Sequence, residues 1–168
     1  MESIMHFIIP LLILLVAFPR INRKLAVCLA FLALVPDLDF FIDFTHRFLF
    51  HNIFFPVILS SIIYLFTRNL KIFWISFYYL MSHLILDLTV GKVALFWPVY
   101  QKLIEVIITL DSKWKFVFDI NTYPLKSIEE HMTKYSSYFF TQEGVFVILL
   151  IIIIFWVSYW KDIKKFFG

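Results

Sequence analysis

Five long apolar runs, at residues 4–19, 25–42, 48–67, 72–90 and 144–160, constrain this chain more than any other feature of it. Each must bury most of its length against protein or lipid, because apolar surface is driven out of water. The hydrophobic fraction of 62% and mean hydropathy of +0.88 exceed what an ordinary soluble domain carries. A helix of about 20 apolar residues crosses a ~30 Å hydrocarbon layer. The expected fold class is therefore all-α: a polytopic membrane helical bundle of about five transmembrane helices, with an amphipathic or re-entrant region at residues 91–143. Residues 1–168 form one expected domain, with a motif-bearing core at 1–100, an interfacial helical region at 101–143 and the last transmembrane helix at 144–160.

The first run is expected to be retained rather than cleaved. Glu2 precedes it where a signal peptide carries positive charge, and Pro19-Arg20 is a poor cleavage context. The lone Cys28 excludes an intrachain disulfide or a thiolate cage and reads as a small buried residue. A net charge of +3 without a basic cluster excludes a nucleic-acid footprint. With five crossings, Arg20, Arg23, Lys24, Arg68, Lys71, Lys161, Lys164 and Lys165 share one side. The positive-inside rule makes that side cytoplasmic. The expected location is the inner (cytoplasmic) membrane, multi-pass, with the chemistry-bearing residues at one level on the extracytoplasmic side.

Those residues are histidines and aspartates. In Ser82-His83-Leu84-Ile85-Leu86-Asp87, an imidazole and a carboxylate stand four residues apart, on one face of a helix. An ionisable pair in an apolar span is costly, which makes a functional site the default reading. Upstream lie Asp37, Asp39, Asp43, His46 and His51, and His6 opens the first run. Asp39, Asp43 and His46 share a face if the segment is helical, and Asp37 also suits a helix N-cap. His46 and His51 are about 140° apart on a straight helix, so one of them must lie on a turn to share an ion. Imidazole and carboxylate ligands suit a divalent metal ion, zinc first, with manganese or iron as alternatives. His131, in Glu129-Glu130-His131, reads as a solvated surface residue.

These motifs occur in a recognisable order. Pro36-Asp37-Leu38-Asp39 is followed by His46-Arg47 and His51-Asn52, then by Ser82-His83 with Asp87, Thr89 and Gly91, then by Phe96-Trp97-Pro98. The series resembles the YdjM-type inner-membrane-associated metal-dependent hydrolases, sometimes labelled LexA-binding, over about residues 6–100. Asn52 stands where that pattern has serine, and the glycines that follow its N-terminal histidine are missing after His6. More distantly, the arrangement is similar to zinc-dependent phospholipases C and related single-strand nucleases, whose late His-x-x-x-Glu helix is missing. The resemblance implies a membrane hydrolase with one or two divalent metals.

The metal-ligand candidates are His6, Asp37, Asp39, His46, His51, His83 and Asp87. Asp39 could orient or deprotonate a water, and Arg47 could hold a phosphate oxygen, which makes these two the catalytic candidates. The expected function is hydrolysis of a phosphoester in a lipid or other amphiphile, with membrane lipid as the partner. The alternatives are a metal-binding transporter or permeation protein, and a non-catalytic membrane interaction protein. No segment of the chain reads as a docking site for LexA.

Overall fold

The computed structural model describes residues 3–41, 49–110 and 116–125, which belong to one compact unit. Helix α1 spans Ser3–Ala17, α2 Arg23–Ala30, α3 Phe54–Thr67 and α4 Leu70–Leu88. Strands β1, Lys102–Leu110, and β2, Phe116–Pro124, pair antiparallel.

Local chemistry sets the helix ends. Asn22 starts α2 by accepting from the Leu25 N–H at 3.2 Å, and Asn69 starts α4 by accepting from the Lys71 N–H at 2.9 Å. Asn52 Oδ1 accepts from the N–H groups of both Phe54 and Phe55, at 3.1 and 3.0 Å, and opens α3. Arg68 ends α3 in the left-handed region, at φ 51°, which turns the chain back into α4. After α2 the chain tightens into 3-10 turns at Phe31–Leu34 and Pro36–Phe41.

Helix α4 is the centre of the unit. Ile75, Tyr79, Leu80 and Leu84 are buried along it. Ala26, Ala30 and Ala33 have no exposed surface, and the small side chains let the α2 segment approach α4 closely. The Tyr79 hydroxyl donates to the Ala26 carbonyl at 2.9 Å, and the Tyr78 hydroxyl donates to the Pro10 carbonyl at 2.9 Å. Both bonds tie α4 to its neighbours through groups that burial would otherwise leave unsatisfied.

The all-α polytopic bundle expected from composition is not what forms. Lys102–Pro124 is a β-hairpin, and no helix among the described residues is long and apolar enough to cross a membrane. Helices α1 and α3 have 15 and 14 residues. At 1.5 Å per residue they reach about 22 Å, short of the ~30 Å hydrocarbon layer. The 19-residue α4 carries Lys71, His83 and Asp87. The apolar runs were longer than the helices because they included capping and turn segments: the 48–67 run becomes helical only at Phe54, and the 25–42 run breaks at Phe31. With no membrane-crossing helix among the described residues, five crossings no longer place the basic residues on one cytoplasmic side. The expected last helix at 144–160 lies outside the described residues, as does His131. Cys28 is exposed rather than buried.

Candidate metal centre

Residues Ser76, Tyr79, His83 and Asp87 recur at intervals of three and four along α4, so they fall on one buried stripe. Its C-terminal end meets the 3-10 turn that carries Asp37 and Asp39 and the bend that carries His51. That bend is held from two directions. Asn52 bridges Leu49, through Nδ2 to its carbonyl at 2.7 Å, and the start of α3. The Ile53 N–H donates to the Leu95 carbonyl at 2.8 Å.

The two histidines are oriented by their Nδ1 atoms. His83 Nδ1 lies 2.6 Å from the Ala33 carbonyl, which can only accept, so this nitrogen carries the proton. His51 Nδ1 lies 2.8 Å from Asp39 Oδ2 and donates to it. Both Nε2 atoms therefore turn inward, 3.0 Å apart. Asp87 Oδ2 stands 3.0 Å from His51 Nε2 and 3.4 Å from His83 Nε2. Asp37 Oδ1 completes the group, at 3.5 Å from His83 Nε2 and 4.0 Å from His51 Nε2. One atom from each of Asp37, His51, His83 and Asp87 lies within 4.8 Å of all the others.

These spacings suit a cation. Ligands at about 2.1 Å from a tetrahedral ion lie about 3.4 Å apart, and imidazole nitrogens with carboxylate oxygens are a ligand set that zinc accepts. Two bare imidazole nitrogens 3.0 Å apart repel one another unless a positive charge lies between them. Histidine Nδ1 held by a carboxylate or a backbone carbonyl is also the arrangement that fixes metal-binding imidazoles. The four residues could hold a metal ion; manganese and iron fit the same donors.

Electrostatics point the same way. Asp39 and Asp87 are fully buried, and the Asp37 side chain is 18% exposed. Buried carboxylates need a compensating positive charge. In the cation-free protein His51 supplies it. Burial alone would lower its pKa, but the hydrogen bonds to Asp39 and Asp87 outweigh burial and raise it to about 9. A proton on His51 Nε2 then occupies the place a cation would take.

His6 is buried beside this group. Its ring lies against that of His83, tilted by 31° with centroids 4.1 Å apart, and its Nε2 is 3.2 Å from Asp87 Oδ1. Desolvation lowers its pKa, against the raising effect of Asp87. Of the residues singled out by sequence, His6, Asp37, Asp39, His51, His83 and Asp87 come together. Asp39 faces His51 Nδ1 rather than the inward nitrogens. Asp43, His46 and Arg47 lie outside the described residues.

The family model for YdjM inner membrane protein matches residues 1–163. The chain belongs to the YdjM inner membrane protein family. No curated protein and no solved structure matches it. Within this YdjM-family chain, sequence reasoning did not find the Ala33 carbonyl, because a backbone acceptor leaves no signature in residue type. Nor did it find Asn52 as the cap that fixes the His51 bend, although Asn two residues before an apolar helical run is a readable signal.

Proposed function

We propose that this membrane-associated protein is a metal-dependent hydrolase whose centre is Asp37, His51, His83 and Asp87. The observation that carries the reading is the pair of buried imidazoles, each fixed through Nδ1, with Nε2 atoms converging on two carboxylates. A divalent cation held by these residues would supply Lewis acidity and lower the pKa of water from 15.7 toward about 7.

The chain's own residues supply the rest. Asp39 orients His51 and stabilises the charge that develops on the ring. Asp37 is the most accessible member of the group, so substrate approaches from its side. Helix α4 fixes His83 and Asp87 on one rigid element, which keeps the donors in register. Arg47 remains the sequence's candidate for holding a phosphate oxygen.

An amphiphilic phosphoester is the substrate class this reading favours. An apolar groove of about 290 Å³ adjoins the His51 bend, walled by Phe50, Phe55, Ile58 and Trp97. Asn52, next to His51 in sequence, also lines it. The volume suits a short length of alkyl chain. Membership of an inner-membrane family supplies lipids at high local concentration.

The test is hydrolysis of phosphodiester and phosphomonoester lipids by wild type and by His83→Ala, with metal content measured on both. Metal-dependent turnover that the variant loses together with its metal is the expected result. Metal bound by wild type without turnover on either lipid class would refute the hydrolase reading and leave the metal centre standing.

A further inference from the structure

The hairpin of β1 and β2 has two unlike faces. Residues directly opposite each other share a face, so Ile104, Val106 and Ile108 lie with Thr122, Ile120 and Phe118, and Phe116 follows two residues before Phe118. Apart from Thr122 this face is wholly apolar. The other face is mixed: Glu105, Asp119, Asn121 and Tyr123 share it with Leu103, Ile107, Thr109 and Val117. There the Tyr123 hydroxyl donates to Glu105 at 2.9 Å and Asn121 Nδ2 lies 3.5 Å from Asp119.

Among the described residues, the hairpin is tied to the helical unit at its base. Leu103 is buried, and Val93 and Ile104 exchange both backbone hydrogen bonds, at 2.9 and 2.8 Å. Beyond that base the apolar face is bare: Phe116 and Phe118 are 69% exposed, Ile120 68% and Ile108 47%. A two-stranded hairpin is marginal in water, and a contiguous apolar patch on it marks a surface that something covers.

We propose that the Ile108–Phe118–Ile120 face lies on the lipid of the inner membrane, with the Glu105–Asp119 face toward water. Three observations favour lipid as the cover. The chain belongs to an inner-membrane family, so a bilayer is the apolar phase within its reach. Glu105 and Asp119 both lie on one face while the opposite face is apolar apart from Thr122, and such an asymmetry suits an interface. The hairpin is long enough to enter but not built to cross. Nine residues per strand reach about 30 Å. Among the described residues, the outer edges of the two strands have no sheet partner beyond the Val93–Ile104 bridge, and unpaired backbone groups cost several kcal/mol each inside hydrocarbon. The hairpin therefore lies in the interfacial layer. This inference does not depend on hydrolysis or on metal.

The test uses the full chain in vesicles of phosphatidylethanolamine and phosphatidylglycerol. With Cys28→Ser as background, an environment-sensitive fluorophore is attached at Phe118→Cys and, separately, at Ile120→Cys and Asp119→Cys. All three positions are exposed enough to carry it without entering the core. Lipids brominated along the acyl chain are expected to quench the label at 118 and 120 at least threefold more strongly than at 119. Iodide in the water is expected to quench in the reverse order. Equal quenching at 118 and 119 would overturn the inference. So would a label at 118 shielded from both quenchers, since protein would then be the cover, whether another segment of this chain or a second copy.

Discussion

Replacing Asp39 by Asn tests the electrostatic design of the site at its least obvious point. The amide keeps the shape and still accepts from His51 Nδ1, now at 2.8 Å from a carboxylate oxygen, but it removes the charge. Two consequences follow, with opposite signs at neutral pH. Without the carboxylate His51 is a poorer ligand, and outer-shell losses of this kind cost 10–100-fold in metal affinity, or about 1.4–2.7 kcal/mol. The same charge raises the His51 pKa, from 6.5 to about 9 in the folded chain, and a metal must displace that proton. Wild-type affinity should therefore climb about tenfold per pH unit up to about pH 9 and then level off. In Asp39→Asn the plateau should begin at lower pH and stand 10–100-fold lower, so the two proteins differ least near neutrality. Zinc competition against a chromophoric chelator from pH 6 to 10 measures both quantities. Superimposable pH profiles would refute the coupling between Asp39 and the His51 proton. Total loss of binding, equal to that of His51→Ala, would make Asp39 a direct ligand instead.

The cation-free fold should depend on pH in the direction the same group dictates. Its raised pKa stabilises the protein fully below about 6.5, and that contribution, on the order of 3 kcal/mol, is lost as pH rises through about 9; thermal unfolding of chelator-treated protein checks it. Tyr79→Phe should cost about 1 kcal/mol by removing the hydroxyl that ties α4 to the Ala26 carbonyl, with metal affinity unchanged. Asn52→Ala should cost about 1 kcal/mol through the lost α3 cap. It should also weaken metal binding, because the same side chain fixes the His51 bend. Leu84→Ala, fully buried beside His83, should cost about 2–5 kcal/mol in thermal or denaturant unfolding.

The candidate centre was more legible in the sequence than the fold. His83 and Asp87 could be paired from spacing alone, because a helix turns residues four apart onto one face. The motif order added Asp37, Asp39, His46 and His51 as candidates without choosing between Asp37 and Asp39 or between His46 and His51. The separate roles of Asp37 and Asp39, two residues apart, depend on how the 3-10 turn rotates them, and residue type does not encode that rotation. The bundle was misjudged because apolar composition reports burial, not length of helix: Asn52, Arg68 and the break at Phe31 shorten what hydropathy joins together. The hairpin escaped notice for a related reason. Its β1 run Leu103-Ile104-Glu105-Val106-Ile107-Ile108 does not alternate strictly, since Ile107 on the polar-residue face blurs the two-residue period.

The most direct measurement is zinc stoichiometry on the purified full chain, before and after His83→Ala. The site described here requires tight binding by wild type that survives exposed-residue controls such as Cys28→Ser and disappears in His83→Ala. Wild-type protein that takes up no zinc, manganese or iron, or a His83→Ala variant that binds zinc as tightly as wild type, would contradict a metal centre at Asp37, His51, His83 and Asp87.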